Sequence, residues 1–417
     1  MLDWAAATGV AVVPYGGGSS VVGGVELREQ RAWISLDTGR LDQLAEVDRT
    51  SRAARVQAGM LGPALEDALR PMDLTLRFFP QSFEFSTVGG WIATRAAGHF
   101  ATGPTHIDDL VESVRMITPA GPLESRRLPA SGAGPAPDRL LLGSEGSFGV
   151  VTEAWLRLQD RPRWRGSCDV RFASFSAGAQ AVRVLLKSGL LPANCRLLDP
   201  GEAQLAGGDG TAALLVVGFE SAHLPVDSAL AAAIEICQGA GGTPGQQRTS
   251  GPGTTGERPA GAGAWRSSFL RAPYLRDALA LMSVIVETFE TACTWADLPA
   301  LHVAVTERIG RELAAICGGG TVTCRLTHAY PDGCAPYFSV IAPSRPGSEL
   351  AQWDALKAAA TAVILDCGGT VTHHHAVGRD HRSGYDLQRP ALFAQALGAI
   401  KGTLDPAGVM NPGVLLG

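Results

Sequence analysis

Pro14-Tyr15-Gly16-Gly17-Gly18-Ser19-Ser20-Val21-Val22-Gly23-Gly24 follows a short apolar run that reads as a strand. Three adjacent glycines let a backbone take positive φ and approach a ligand closely. Successive N–H groups in such a turn form an anion-binding concavity, and the serine hydroxyls add donors. A pyrophosphate fits that description. The spacing is neither G-x-G-x-x-G nor G-x-x-x-x-G-K-[ST], which disfavours a nicotinamide Rossmann turn and a P-loop. Taken alone, the cluster reads equally well as a phosphate cradle or an ordinary turn.

Two further segments decide between these readings. One is Gln81-Ser82-Phe83-Glu84-Phe85-Ser86-Thr87-Val88-Gly89-Gly90-Trp91-Ile92-Ala93-Thr94-Arg95-Ala96-Ala97-Gly98, and the other is Gly143-Ser144-Glu145-Gly146-Ser147-Phe148-Gly149-Val150-Val151-Thr152-Glu153. Each alternates small residues with hydroxyls beside an apolar strand. In order and spacing, the three stretches together resemble the flavin-binding domain of the vanillyl-alcohol oxidase (PCMH) type. The resemblance implies FAD. Its pyrophosphate would lie on Pro14, Tyr15, Gly16, Gly17, Gly18, Ser19 and Ser20. Its ring and ribityl chain would lie along Gln81, Ser82, Phe83, Glu84, Phe85, Ser86, Thr87, Gly89, Gly90, Thr94, Arg95, Ala96 and Ala97, and along Glu145, Gly146, Ser147, Phe148, Gly149, Val150 and Val151.

Composition sets the outer bounds. The chain has 417 residues, more than one ordinary domain. With 46% hydrophobic and 18% charged residues it suits packed cores rather than a disordered chain. A net charge of −5 offers no nucleic-acid surface. The eight cysteines include no C-x-x-C pair, which disfavours zinc ribbons and thioredoxin-like sites. The start, Met1 to Ala11, has no basic n-region and no long apolar run. A cytoplasmic protein is the default expectation; a peripheral membrane contact and a homodimer stay open. Residues 2–13 read as a helix running into a strand, with no strand before them, so a shortened N-terminus is expected.

Strand character recurs near Ala32–Leu36 and Ala53–Ala58, and helix at Leu61–Leu69 and Ala351–Leu365. Gly368-Gly369 is expected to end the latter before a strand at Thr370–His375. Pro129–Pro137 and Gly239–Gly263 read as exposed loops.

The resemblance narrows at Glu84-Phe85-Ser86-Thr87-Val88-Gly89-Gly90-Trp91, followed by Thr94-Arg95. These residues are similar to the alkyldihydroxyacetonephosphate synthase family, the flavoenzymes of ether-lipid synthesis. Arg196-Leu197-Leu198-Asp199, Tyr274-Leu275-Arg276-Asp277 and His373-His374-His375-Ala376-Val377-Gly378 agree with it, and the similarity runs from Leu2 to Asn411-Pro412-Gly413. On their own chemistry, consecutive histidines suit phosphate binding, proton shuttling, metal ligation or a structural role. On a strand His373 and His375 would share a face. No H-E-x-x-H or neighbouring carboxylate completes a metal set, so no metal is expected. By position Tyr337 matches the family's proton-accepting tyrosine, although an ordinary phenol is a poor base unless a cation stands beside it. Buried tyrosines are as often core. Arginine suits phosphate or carboxylate. The resemblance implies Arg276 as a substrate-binding residue and Arg196 near the flavin, with Arg325, on the strand before Tyr337, as a further candidate.

Some stretches depart from the family pattern. Gly103-Pro104-Thr105-His106-Ile107-Asp108-Asp109-Leu110 stands where the family carries Tyr-Gly before an Ile-x-Asp-Leu strand, and Gln81-Ser82 replaces Asp-Ser. No histidine lies beside Gly16–Gly24, so the FAD is expected to be non-covalent, with His99 and His106 the remaining histidines that could tether it.

The expectation is an α+β flavoprotein. A split FAD-binding domain covers 1–158, an inserted α+β cap built on an antiparallel sheet covers 159–404, and a tail at 405–417 returns to the flavin. The active site is expected between domain and cap. The expected reaction is exchange of the acyl group of acyl-dihydroxyacetone phosphate, a small lipid substrate, for a long-chain alcohol. Tyr337 would take the proton, His373, His374 and His375 would assist, and Arg276 would hold the phosphate. The alternatives are an FAD-linked oxidase or dehydrogenase of a 2-hydroxy acid or related alcohol, and a degenerate, non-catalytic flavin-fold protein.

Overall fold

The computed structural model describes residues 1–29, 31–252 and 275–416, in two compact units. The first comprises Met1–Gly98, Pro104–Arg161 and His374–Gly417; the second comprises His99–Gly103 and Pro162–His373. The chain thus changes unit at 161/162 and 373/374, where 158/159 and 404/405 were expected. The helices Arg382–Gln388 and Ala391–Leu404 belong to the first unit. The cause is packing: Leu397 enters the first unit's core, and Lys401 Nζ donates to the Ser147 and Met410 carbonyls at 2.6 and 2.7 Å.

The first unit is built on a five-stranded antiparallel sheet in the order Leu44–Asp48, Ala53–Gln57, Val150–Arg157, Val111–Thr118, Gly121–Glu124. The strands send Val56, Val114, Met116, Ala154 and Leu156 into a core that also takes Leu65 and Leu69 from the helix Gly62–Leu69. That pair is spaced i, i+4, one helical face. The helix Val88–Thr94 adds Trp91 and Ile92. A separate parallel pair, Ala11–Tyr15 with Trp33–Asp37, delivers the glycine-rich stretch from its C-terminal end.

The second unit is a nine-stranded antiparallel sheet among the described residues. Its central path runs Thr243–Pro244, Trp164–Phe172, Ala213–Ser221, Asn194–Leu198, Thr321–Ala329, Gly333–Pro343, Val284–Glu290. Two short strands, Arg248–Ser250 and Cys293–Thr294, pair at its flanks. Side chains alternate between the faces of a strand. One set (Val170, Phe172, Cys195, Leu197, Leu215, Val217, Cys324, Leu326, Phe338, Val340, Ile285, Phe289) packs into a single core with the helices Phe175–Lys187, Asp227–Gly239, Leu298–Cys317 and Glu349–Asp366. The other set carries the polar side chains described below.

Three local expectations are corrected. Thr370–His375 is not a strand: side chains rather than a ladder hold its backbone, with Thr291 Oγ1 donating to the Thr370 carbonyl and the His373 N–H donating to Glu290. Ile107–Leu110 is a helical turn that precedes the strand Val111–Thr118. Gly239–Gly263 is not wholly loop, because Thr243–Pro244 and Arg248–Ser250 pair with Trp164–Phe172. Residues 253–263 of that stretch, and Tyr274, lie outside the described residues. No helix among the described residues is long and apolar enough to cross a membrane.

Phe338 is fully buried and stacks on Phe289 with ring centroids 5.3 Å apart. Phe338→Ala is expected to destabilise the second unit by about 3–5 kcal/mol, since the surrounding sheet and helices can close the cavity only in part. Urea denaturation followed by circular dichroism checks this.

Candidate cofactor cradle and polar sheet face

Three stretches of the first unit meet at the glycine-rich turn. A β-carbon on Gly17 would stand 1.7 Å from the Phe85 carbonyl oxygen, and one on Gly16 would stand 2.3 Å from Thr87 Oγ1. A β-carbon on Gly146 would reach Pro14 at 3.0 Å. Gly18 turns the chain with φ +65°. The N–H groups of Gly16, Gly17, Gly18, Ser19 and Ser20 donate to no acceptor among the described residues. Those around the facing loop are spent inside the fold: Phe85 and Ser86 on the Ser82 carbonyl, Val88 on Met60, Gly89 on Ala58. A run of uncommitted N–H groups on a close-packed glycine turn fits a dinucleotide pyrophosphate.

Several predicted cofactor residues hold the cradle's shape. Ser86 Oγ accepts from Trp91 Nε1 at 2.7 Å, and Thr87 caps the helix Val88–Thr94 by accepting from the Gly90 N–H. Thr94 Oγ1 donates back to the Gly90 carbonyl. Arg95, at φ +51°, pairs with Asp108 at 2.6 Å, and Ala97 bridges to His106. Phe83 packs on Phe79 with centroids 4.9 Å apart, while Phe85 is exposed. Gln81 and Ser82 open this turn; Glu84 is exposed on it, and Ala96 accepts the Ile107 N–H. Ser147 and Phe148 are buried, and Gly149 crowds the Ile117 carbonyl, next to Val150 and Val151 on their strand.

Glu145 does more than its motif implies. Its carboxylate accepts the N–H groups of Val377 and Gly378 at 2.9 and 2.7 Å, immediately after the histidine run. Its carbonyl accepts Asn411 Nδ2 at 2.7 Å, and the same amide donates to the Gly24 carbonyl at 3.0 Å. Burial pushes the Glu145 carboxyl up from the usual 4.5 to about 7, although the two N–H donors pull it down. Within this unit the His374 and His375 rings meet edge-on at 4.8 Å. Burial, and then the charge of His374, push the His106 pKa down.

In the second unit, alternation brings Arg196, Arg325, Tyr337 and Glu290 onto the sheet face opposite the helix-packed core. Arg325 lies directly across from Tyr337, and Tyr337 directly across from Glu290. The Arg325 guanidinium sits 4.0 Å from the Tyr337 ring centroid and donates to Glu202 at 2.9 Å. Burial pushes the Tyr337 phenol up, and Arg325 and a hydrogen bond with Thr288 only partly counter it. Arg196 is buried and donates to the His99 carbonyl at 3.1 Å. Burial and neighbouring Arg325 push its pKa down. Glu290 accepts Thr372 Oγ1 at 2.6 Å and the His373 N–H at 2.7 Å. His373 Nε2 shares a 2.7 Å hydrogen bond with the Tyr330 hydroxyl, and the His328 ring lies 5.0 Å away.

Arg276 stands apart from this row. It is half exposed and 3.5 Å from Glu287, on the helix-packed side, where Glu287 also holds Lys357 and Trp353. Glu290, Tyr330, Asn411 and the clamp role of Glu145 were not found from the sequence. Each acts on backbone or side chains remote along the chain, and no local pattern signals that.

Comparison with known proteins accords with this geometry. Residues 161–415 match the family described as FAD linked oxidases, C-terminal domain, and residues 1–125 match the FAD binding domain family. The chain is 30% identical to alkyldihydroxyacetonephosphate synthase of Caenorhabditis elegans over 433 residues, covering 98% of this chain and 72% of that one. It is 28% identical to the Dictyostelium discoideum synthase over 440 residues, covering 98% and 69%. The glycolate oxidase subunit of Bacillus subtilis is 23% identical over 413 residues, covering 97% and 83%. A solved alkyldihydroxyacetonephosphate synthase superposes with a TM-score of 0.79 at 25% identity, covering 99% of this chain and 74% of that one. A 4-ethylphenol oxidase from Gulosibacter chungangensis shares the fold, with a TM-score of 0.76 at 15% identity, covering 100% and 86%.

Gly17→Ala is expected to separate the loops and weaken FAD binding at least about tenfold, roughly 1.4 kcal/mol. Flavin fluorescence titration reads this, and circular dichroism with a urea midpoint of the apoprotein separates lost affinity from lost stability. Glu145 binds its proton more tightly folded than unfolded, so its contribution to stability is present below 4.5 and lost as pH rises through about 7. The loss is about 3 kcal/mol. Glu145→Gln is expected to flatten that slope in urea midpoints measured across the range.

Proposed function

The chain belongs to the FAD-linked oxidase family and, within it, to the alkyldihydroxyacetonephosphate synthase-like members; on that footing we propose that it exchanges the acyl group of acyl-dihydroxyacetone phosphate for a long-chain alcohol. The acyl group leaves as a fatty acid, and the net reaction is redox-neutral. FAD is the cofactor, and the uncommitted N–H groups of Gly16 to Ser20 are proposed to take its pyrophosphate without a covalent tether. When bound, the flavin would supply an electron sink for the reaction.

The observation that carries this reading is the placement of Arg325 over Tyr337. A phenol accepts a proton only as phenolate, and a cation against its ring stabilises that form. Tyr337 takes the proton from the substrate carbon in this proposal. Because burial outweighs Arg325 and keeps the phenol protonated at rest, the exchange speeds up as pH rises. His373, its Nε2 on the Tyr330 hydroxyl, assists proton transfer with His374 and His375. Arg276, expected to hold the phosphate, is half exposed and pairs with Glu287 on the helix-packed side; on the Tyr337 face the arginines are Arg325 and Arg196, and in this proposal they draw the substrate's phosphate.

The similarity to a glycolate oxidase subunit favours a second reading, oxidation of a 2-hydroxy acid, with arginine holding the carboxylate. Anaerobic spectra separate the two. Lasting bleaching of the flavin by glycolate or D-lactate, without acyl exchange, would overturn the transferase reading. Under that reading, Tyr337→Phe loses exchange at least about 100-fold with the flavin spectrum intact. Arg325→Met shifts the rising limb of the pH–rate profile to higher pH, because the cation that lowered the phenol's pKa is gone.

A further inference from the structure

We propose that Cys293 and Cys334 are a site of reversible oxidation by hydrogen peroxide, closing to a disulfide across two neighbouring strands of the second unit. Cys293 lies directly opposite Cys334 in the antiparallel register. The flanking bonds, Thr291 N–H to the Pro336 carbonyl at 3.1 Å and Trp295 N–H to the Asp332 carbonyl at 3.3 Å, place the pair at a hydrogen-bonded position. Cα atoms at such a position lie about 5.5 Å apart. Disulfides most often span about 5.5–6 Å, so the register puts the two Cα atoms within bridging range.

The chemistry at the two sulfurs differs. The Cys334 thiol donates a hydrogen bond to Cys293, which pushes the Cys293 pKa down and its own up. The other six thiols, Cys168, Cys195, Cys237, Cys317, Cys324 and Cys367, are all pushed up, burial being the largest cause. Cys293 is only partly buried, whereas Cys334 is buried. Cys293, the less buried of the pair and the one with the lowered pKa, is therefore the nucleophile. Its thiolate attacks one peroxide oxygen; the O–O bond breaks, leaving a sulfenic acid and, after protonation, water. Cys334 then attacks that sulfur and hands its thiol proton to the departing hydroxyl, which leaves as a second water. Two thiols lose two electrons and one peroxide gains them.

The site bears on the histidine segment. Glu290, Thr291 and Ala292 immediately precede Cys293, and they hold Thr372, His373 and Thr370 by hydrogen bonds. A disulfide would tie that anchoring strand to Gly333–Pro343. The proposal does not depend on which substrate the enzyme turns over.

The test uses the reduced, purified flavoprotein, treated with hydrogen peroxide, freed of excess peroxide, alkylated with N-ethylmaleimide in denaturant so that every remaining thiol reacts, and weighed intact. The expected result is loss of two of the eight alkylated thiols, a tryptic peptide pair joining Cys293 to Cys334, and full recovery on dithiothreitol. Cys293→Ser is expected to abolish the cross-link, and Cys168→Ser to leave it. Retention of all eight thiols, a bridge between other cysteines, or Cys293 over-oxidised with Cys334 still alkylated would each overturn the proposal. The wild-type peptide map decides even if a variant folds poorly.

Discussion

The first unit depends on a backbone approach that tolerates no side chain. Phe85 and Thr87 occupy the space where β-carbons of Gly17 and Gly16 would stand. That contact fixes more than the turn. Thr87 also caps the helix Val88–Thr94, whose Trp91 and Ile92 enter the core, and Trp91 reaches back to Ser86. The loop, the helix and the core therefore share one constraint. While the facing loop spends N–H groups on protein carbonyls, those of Gly16 to Ser20 donate to no acceptor among the described residues. A residue with a β-carbon at either glycine would have to reopen that whole arrangement.

A second fixture closes the same unit from its far end in sequence. Asn411 joins the carbonyls of Gly24 and Glu145, while the Glu145 carboxylate takes the N–H groups of Val377 and Gly378. Burial raises the pKa of this carboxyl, and the two backbone donors, with no cation beside them among the described residues, only partly counter it. The segment after the histidines is thus ordered by a residue more than two hundred positions earlier in the chain.

In the second unit the period of two along a strand separates structure from chemistry. Phe338 and Tyr337 are neighbours in sequence, yet Phe338 enters the helix-packed core and Tyr337 joins Arg325 and Glu290 on the other face. The antiparallel register then sets these three in one row across adjacent strands. Glu290 extends the row to the histidine segment through Thr372 and the His373 N–H.

The glycine turn, the strand before it and the helices at Gly62–Leu69 and Glu349–Asp366 were legible in the sequence, because each is written in local residue types: Gly for close approach, Ala and Leu for helix, an apolar run for strand. Thr370–His375 misled, since its residues suit a strand but its backbone found side-chain partners instead. Tyr330 on His373, Glu290 on Thr372 and Asn411 between two carbonyls carry no local signature, because each bond joins residues at least 43 positions apart. Local sequence therefore determined the class of fold and the kind of ligand it holds. Only the tertiary structure decided which polar groups face one another, because a hydrogen bond is set by distance and direction in space, and separation along the chain specifies neither.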